Sequence, residues 1–434
     1  MNKVREALTA HRYHQALVRL RILAEQHVDG DTNLNRWDRD RVRATEPGIF
    51  AQFLEGIADD TPPTIEAIER APLQLIRAID EYLAQFSAQR SLPRPVECDG
   101  MAYDGMAYWV VPVDLARRGD APLSRQVAIW ETYCRRHRLI PARSPGGIDI
   151  SAKPSAGAVD ECLRAAIAGG VIRIFVGHFV DGVNVNFETQ PNGRVRATGM
   201  SDPAKRWESI VGMLARAVAE NAHVLVLPEL AITAQLRRKI TEWLFEHSTN
   251  CLALILPGSM HDMADGNCYN AATLLGPDGR LILQHRKLCP FGDAYGVGPK
   301  AAEDVAQGNH VELLVTPVGT FAVAICKDFF HPNERGKGIW SLLGADWMLV
   351  PSFGNEATSR NHAREAATFW KMERIVSVVA TQENDGAALP GFLQHDARLD
   401  YPSGGGLHEV AIGLSTPPVR PQPPLKVVRR APSC

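Results

Sequence analysis

Several features that would place a protein in a special class are missing from this sequence. No apolar run approaches the roughly 20 residues that span a bilayer, and charged residues interrupt the first 20 positions, unlike a secretory signal. Positive and negative charges nearly balance, with 47 Lys plus Arg against 49 Asp plus Glu. We therefore predict a cytoplasmic protein with no nucleic-acid partner and no membrane partner.

Cysteine is also scarce, with eight residues in a chain of 434. None of the cysteines forms a CxxC or another metal-ligand spacing, and the histidines show neither HxH nor HExxH. These absences exclude a disulfide scaffold and give no reason to expect a metal or another cofactor. We predict a reducing compartment in which most of the thiols are inert.

The sequence changes character along its length. Hydrophobic residues make up 45% and charged residues 22%, as in an ordinary globular protein, and the length favours more than one domain. Apolar residues recur at three- and four-residue spacings up to about residue 85, which predicts a mainly helical N-terminal region over residues 1–160, of unknown function. The Pro-, Gly- and Ser-rich run Pro141–Ala158 indicates a linker. Thr416–Cys434 is rich in proline, which predicts an extended tail, either mobile or docked on a neighbouring subunit.

Strands alternate with helices after the linker. Val171–Val176 and His223–Leu227 are apolar runs typical of buried strands. Asp202–Asn221 is a predicted helix with Ser201 or Asp202 as its cap and Pro203 in its first turn. Gly276–Gly279 separates two further strands as a hairpin turn. Residues 165–415 are therefore predicted to be an α/β domain, a sandwich of mixed β-sheets covered by helices.

Three reactive side chains each follow an apolar strand: Glu229 in VLVLPE, Lys287 in LILQHRKL and Cys326 in FAVAICKD. Strand ends deliver side chains to a cleft, so we expect the three to meet. A buried carboxylate can accept the proton of a thiol, while an ammonium beside the thiol lowers its pKa and stabilises an oxyanion. Taken alone, Cys326 could be a core cysteine, Lys287 a surface charge and Glu229 a helix cap. Together, in this order, they indicate nucleophilic catalysis by a thiol.

These segments resemble the nitrilase or carbon-nitrogen hydrolase superfamily, whose members carry Glu, Lys and Cys in the same chain order. The similarity covers about residues 171–413 and includes LPE ending at Glu229, HRKLCP around Lys287, and ICKD around Cys326, followed by Pro332. The resemblance implies an α-β-β-α sandwich fold. It also implies that Glu229 is the general base, Lys287 the cation that stabilises the oxyanion, and Cys326 the nucleophile.

Members of this family commonly carry a second glutamate, which orients the lysine and the substrate. Glu303, shortly before Gly308, suits that place, and Asp293 is the alternative. Lys327 follows the nucleophile where many relatives have an aromatic residue. Two interpretations of Lys327 stay open: its ammonium further lowers the pKa of Cys326, or its backbone N–H helps to hold the oxyanion.

The sequence thus predicts a cofactor-free hydrolase that attacks a carbon–nitrogen bond of a small molecule through a Cys thioester. An amide or carbamoyl-amide substrate is favoured over a nitrile. The alternatives are a regulatory or ligand-sensing protein that retains the fold, and an acyl or amide-nitrogen transferase. The resemblance further implies a homodimer or larger homo-oligomer, with contacts expected on the helix Asn361–Arg374 and on the segment after Cys326. Phe369 and Trp370 on that helix are either core residues or part of the subunit contact.

Overall fold

The computed structural model of the protein describes most of the chain. The described residues are 2–30, 47–86, 93–97, 107–112, 134, 136–144, 146–179, 181–247, 251–292, 302–330, 339–373, 375–382, 392–394, 399–400 and 407–413. Asp293, named above as an alternative second acid, and the Pro-rich tail Thr416–Cys434 lie outside the described residues.

The N-terminal part of the described chain consists of helices packed on a small antiparallel sheet. The helices are α1 (Asn2–Thr9), α2 (Tyr13–Gly30), α3 (Pro47–Ala58), α4 (Ile65–Arg70) and α5 (Pro72–Phe86). The strands are β1 (Arg94–Glu97), β2 (Ala107–Pro112) and β3 (His137–Pro141), in the order β1-β2-β3. Leu73, Ile76 and Ile79 lie on one face of α5 and share a core with Tyr108 and Val110 of β2. The predicted helical region is confirmed, with a sheet added to it.

Two larger sheets follow, each with seven strands among the described residues. The strands of sheet I are β5 (Val171–Gly177), β8 (Val224–Val226), β9 (Leu254–Leu256), β10 (Ser259–Ala264), β11 (Asn267–Leu275), β12 (Leu281–Arg286) and β19 (Leu407–Gly413). Their order is β10-β11-β9-β8-β5-β19, with β12 beside β11. The strands of sheet II are β4 (Asp149–Pro154), β13 (His310–Thr316), β14 (Gly319–Val323), β15 (Trp347–Phe353), β16 (Val376–Gln382), β17 (Phe392–Gln394) and β18 (Leu399–Asp400). Their order is β18-β17-β16-β15-β14-β13-β4.

The two sheets pack face to face, with helices on the outside. Strand side chains alternate between faces, so Ile174 of sheet I and Leu349 of sheet II share the inner core. The neighbouring Phe175 packs on the outer side with helices α7 (Pro203–Ala219) and α8 (Ala234–Glu246), and Met348 packs on the other outer side with α10 (Ile339–Leu343) and α11 (Glu356–Glu373). The remaining helices are α6 (Ala158–Ala168) and α9 (Lys327–Phe330). The α-β-β-α sandwich expected from the sequence is confirmed.

The predicted linker is wrong in part. Within Pro141–Ala158, residues Asp149–Pro154 form β4, which pairs in parallel with β13 at the edge of sheet II. Ile150 and Ala152 alternate into the outer core of that sheet. A short edge strand with few apolar residues has a weak sequence signal, and its partner β13 lies far along the chain. The division of the chain at residues 160 and 165 stays a prediction.

Two helices test the sequence signals directly. Helix α7 begins as predicted, because Asp202 accepts a hydrogen bond from the N–H of Lys205 at 3.0 Å and Pro203 occupies the first turn. Helix α11 begins at Glu356, earlier than the predicted Asn361. Phe369 on this helix is buried in the outer core of sheet II.

A two-stranded ribbon, β6 (Val185–Thr189) and β7 (Val195–Met200), lies between β5 and α7 in the chain. The N–H of Val195 donates to the carbonyl of Ala302, and its carbonyl accepts from the N–H of Asp304, both at 2.8 Å. The ribbon therefore supports the segment that carries Glu303.

Candidate active site

Cys326 lies on a strained turn between strand β14 and the short helix α9. Its φ angle is +46°, in a region that residues with side chains adopt at a cost of order 1–3 kcal/mol. The N–H of Cys326 donates to the carbonyl of Pro351 at 2.9 Å, and its carbonyl accepts from the N–H of Phe329 at 3.0 Å. A sharp strand-to-helix turn of this kind presents a nucleophile at the end of a sheet.

Asp328 ties this turn to the loop that carries Lys287. Its Oδ2 accepts from the N–H of Ile325 at 3.2 Å and from Nε2 of His285 at 3.0 Å. Its Oδ1 accepts from the N–H of Cys289 at 2.7 Å. The sequence motif contained Asp328 but gave it no role. His285 is buried and has this carboxylate as its partner.

Glu229 follows strand β8 and is almost completely enclosed, with 2% of its surface exposed. Its Oε1 accepts from Nζ of Lys287 and from Nδ2 of Asn270, both at 2.8 Å. Its Oε2 accepts from the backbone N–H of Phe353 at 2.9 Å. Three donors from three different elements therefore fix the orientation of this carboxylate.

Lys287 bridges two carboxylates. Its Nζ donates to Oε1 of Glu229 and to Oε2 of Glu303, each at 2.8 Å. Glu303 also accepts from Nδ2 of Asn270 at 2.9 Å and from the N–H of Phe291 at 2.7 Å. The structure thus brings the predicted second acid, Glu303, to the predicted lysine.

His261 supports Glu303 from behind. The N–H of Ala197 on the ribbon donates to Nδ1 of His261 at 2.8 Å. That nitrogen is therefore an acceptor, and Nε2 carries the proton toward Oε1 of Glu303 at 3.4 Å. Sequence reasoning missed both His261 and Asn270, because neither belongs to a motif around Glu229, Lys287 or Cys326.

The end of strand β15 joins Cys326 to Glu229. The hydroxyl of Ser352 donates to Sγ of Cys326 at 3.5 Å, and Sγ lies 3.7 Å from the carbonyl of Phe353. The N–H of the same Phe353 donates to Oε2 of Glu229 at 2.9 Å. The structure therefore collects all three residues of the predicted triad, Glu229, Lys287 and Cys326, in one buried cluster.

Burial dominates the electrostatics of the thiol. It raises the pKa of the Cys326 thiol to about 12, and the Glu229 charge adds to the rise. The Lys287 charge lowers this pKa, the direction that the sequence predicted, but only partly offsets the rise. Desolvation in a closed cluster outweighs the attraction of one ammonium that two carboxylates already neutralise.

The two carboxylates of the cluster differ. Burial, with help from the charge of Glu303, raises the pKa of Glu229 even though Lys287 opposes the rise. Burial also acts to raise the pKa of Glu303, but Lys287 and His261 together hold it below its ordinary value. Burial acts to lower the pKa of Lys287, yet the two carboxylates raise it well above its ordinary value. Glu229 is thus the carboxylate better able to take up a proton.

The side chain of Lys327 is directed to the carbonyl of Pro290, to which its Nζ donates at 2.9 Å. The ammonium also lies 5.8 Å from the ring centre of Phe291. Of the two interpretations offered by the sequence, this geometry favours the backbone N–H as the group that serves the nucleophile, and that role stays a prediction.

Within the described residues, no group of three or more His, Cys, Asp or Glu side chains is arranged to hold a metal ion. No helix in the described part of the chain is long and apolar enough to cross a membrane.

Several known proteins are similar to this chain. Residues 191–377 match the family model for carbon-nitrogen hydrolases. The chain is 29% identical to the omega-amidase NIT2 of Danio rerio over 163 residues, which are 35% of this chain and 58% of that protein. It is also 29% identical to the nitrilase and fragile histidine triad fusion protein NitFhit of Drosophila melanogaster over 186 residues, 39% of each. The matches thus span less than two thirds of these relatives.

Two solved structures are similar to this chain as well. Nit3 of Saccharomyces cerevisiae, a member of branch 10 of the nitrilase superfamily, has 16% sequence identity and a TM-score of 0.41, covering 57% of this chain and 90% of that one. An amidase from Nesterenkonia sp. has 16% identity and a TM-score of 0.41, covering 56% and 90%. The family model, rather than these structures, carries the comparison: residues 191–377 of this chain match the carbon-nitrogen hydrolases.

Proposed function

We propose that this chain hydrolyses the carbon–nitrogen bond of a small amide or carbamoyl-amide, through a thioester on Cys326. One observation carries the proposal. Lys287 bridges the carboxylates of Glu229 and Glu303 at 2.8 Å each, and the backbone of Phe353 contacts both Glu229 and the thiol of Cys326 on its strained turn. A nucleophile, a base and a cation are thereby held together, each by several neighbours.

The first step is attack of Sγ on the substrate carbonyl carbon. The sulfur forms the new C–S bond, while its proton passes to the carboxylate of Glu229. Because one buried group loses a proton as its neighbour gains it, the net charge of the cluster does not change. A free thiolate would instead add a second net negative charge to a site that already holds two carboxylates and one ammonium. The raised pKa of Cys326 keeps the thiol protonated until it attacks, and the raised pKa of Glu229 makes that carboxylate better able to accept the proton.

The carbonyl oxygen becomes an oxyanion in this step. Nζ of Lys287 supplies the positive charge that stabilises it, and the backbone N–H of Lys327 is the second donor. Glu303 and Asn270 keep Lys287 in place, so the ammonium is oriented before the charge develops.

Collapse of the tetrahedral intermediate breaks the C–N bond. Protonated Glu229 gives its proton to the departing nitrogen, which leaves as ammonia or an amine, and the acyl group stays on sulfur as a thioester. A water molecule then transfers a proton to Glu229 and attacks the thioester, which releases the carboxylic acid and restores the thiol.

The curated relatives support an amide substrate over a nitrile, since several of them are named omega-amidases. A carbamoyl-amide would pass through the same steps with a carbamate product, and a nitrile is the third choice. An acyl or amide-nitrogen transferase would share the thioester and differ only in the acceptor. A purely regulatory protein would have no use for the strained nucleophile turn.

Intact-mass measurement after incubation with a panel of primary amides, carbamoyl amino acids and nitriles tests the proposal. We expect an acyl adduct on the wild type and none on Cys326→Ala, with Cys268→Ala as the matched control that still forms it. Hydroxylamine added during turnover traps the thioester, and its competition with water separates a hydrolase from a transferase. Absence of any adduct and of any product across the panel would contradict the proposal.

A further inference from the structure

The backbone of Glu229 needs support beyond the contacts of its carboxylate. The next residue, Leu230, has a φ angle of +55°, which a leucine adopts only when its surroundings hold it there. The N–H of Leu230 donates to the hydroxyl of Ser259 at 3.3 Å, and the N–H of Glu229 donates to the carbonyl of Ser352 at 3.3 Å. Gly258 packs so tightly on this turn that an added Cβ would lie 1.9 Å from the carbonyl oxygen of Pro228.

The carbonyl of Glu229 is held by a side chain from the other sheet. Nε2 of Gln382, the last residue of strand β16 in sheet II, donates to this carbonyl at 2.6 Å. Gln382 is 2% exposed. The hydrogen bond therefore links the ends of strands in both sheets, at the position where the base must face the nucleophile.

Arg206 determines which way the amide of Gln382 points. Nη1 of Arg206 donates to Oε1 of Gln382 at 2.9 Å. A guanidinium can only donate, so the oxygen of the amide must face Arg206, and the NH₂ group must face Glu229. Without the guanidinium, the amide would be free to turn its oxygen toward the Glu229 carbonyl, where two acceptors repel.

Arg206 is itself fully enclosed and oriented by three neighbours. It is 2% exposed, its Nη2 donates to the carbonyl of Val183 at 2.8 Å, and its Nε lies 3.1 Å from Oδ2 of Asp181. Its guanidinium carbon lies 3.8 Å from the ring centre of Phe179. A buried arginine paired in this way is rigid, which suits a group that positions another.

We propose that Gln382 and Arg206 are positioning residues for the general base, acting through the backbone of Glu229. This inference rests on the proposed function. Neither side chain reaches the reacting atoms; Arg206 orients the amide, and the amide keeps the strained Glu229–Leu230 turn in the geometry that aims the carboxylate at Cys326.

The test compares Gln382→Met, which keeps the volume of the side chain and removes both hydrogen bonds, with Ser377→Ala. Ser377 is a buried residue of the same strand, remote from the end that carries Gln382. For Gln382→Met we expect kcat to fall roughly tenfold to 100-fold with KM changed by about twofold or less, since a displaced base weakens the chemical step more than binding. Ser377→Ala should keep the kcat of the wild type.

A second readout does not depend on any substrate. The charge of Glu229 raises the pKa of the Cys326 thiol, so a displaced carboxylate should move the pH midpoint of Cys326 alkylation by iodoacetamide to lower pH in Gln382→Met. A folded Gln382→Met variant with wild-type kcat and an unmoved alkylation midpoint would overturn the inference. Failure of the wild type to turn over any amide would instead contradict the proposed function, and the alkylation comparison would still decide the inference.

If Gln382→Met does not fold, the variant Arg206→Lys tests the inference in its place. Lysine keeps a positive charge near Asp181 but cannot hold both Gln382 and Val183 as the planar guanidinium does. We expect a folded protein with lowered kcat and a moved alkylation midpoint. Wild-type values for this variant, or the failure of both variants to fold, would overturn the inference and assign these residues to stability alone.

Discussion

Nζ of Lys287 lies 2.8 Å from Oε1 of Glu229, and each side chain is only 2% exposed. Breaking a buried ion pair by removing one partner costs about 3–5 kcal/mol in general, because the other charge remains buried without compensation. Here a second carboxylate, Glu303, shares the same ammonium, so the lysine supports two negative charges at once. The pair therefore affects both the stability of the fold and the chemistry of the site.

Replacement of Lys287 by Met should show both effects. We expect the loss of the oxyanion cation to cost roughly 3 kcal/mol or more of transition-state stabilisation. The melting temperature should fall as well, since two buried carboxylates lose their counter-ion. The measurements are kcat/KM and thermal unfolding. Lys153→Met, at a partly exposed ion pair with Glu312 on the edge of sheet II, is the control; near-normal turnover in Lys287→Met would show that the stabilising charge lies elsewhere.

Cys326→Ala should reduce turnover to the background rate while the protein stays folded. The change removes the nucleophile and leaves a small residue at a φ of +46°. Circular dichroism and a turnover assay check the two parts separately. Cys268→Ala alters a buried thiol on strand β11, outside the predicted triad, and should keep its activity. Equal loss in both variants would contradict the assignment of the nucleophile.

The pH dependence of kcat/KM should report the ionisation of Glu229, the proposed base. Glu229 must be ionised to accept the proton of the thiol, and burial raises its pKa above the ordinary 4.5. Activity should therefore be lost as the pH falls, with a midpoint above 4.5. Glu229→Gln should remove activity at every pH. A wild-type profile that stays flat through the acid range would contradict the role of Glu229 as base.

In Asn270→Leu, the loss of activity at acid pH should occur at a higher pH than in the wild type. Asn270 donates to Oε1 of both Glu229 and Glu303, and a hydrogen bond to an ionised carboxylate lowers its pKa. Loss of the donor should therefore raise the pKa of Glu229 further. The pH profile of kcat/KM measures the shift, and a midpoint that moves to lower pH would contradict the role given to Asn270.

The oligomeric state follows from the family resemblance and stays a prediction. We expect light scattering to find a dimer or larger assembly, and deletion of residues 416–434 to weaken it. Because Phe369 is buried within the subunit, exposed residues of helix α11 would have to make the contact. A stable, fully active monomer at micromolar concentration would refute this prediction and leave the N-terminal region as the place where a partner binds.

Much of the fold was predictable because its signals are local. The apolar runs at Val171–Val176 and His223–Leu227 became strands β5 and β8, and Asp202 with Pro203 began helix α7. Strand β4 escaped prediction because its stability comes from pairing with β13, which no local pattern reveals.

The sequence by itself determined which residues we propose for the chemistry, since Glu229, Lys287 and Cys326 each follow an apolar strand within a recognisable motif. Only the tertiary structure decided how those residues behave. Closure of the two sheets buries the thiol, so its pKa rises although Lys287 acts to lower it. Closure also brings in Asn270, His261, Gln382 and Arg206 from distant elements, and their roles depend on distances and hydrogen-bond directions that exist only after the strand ends have met.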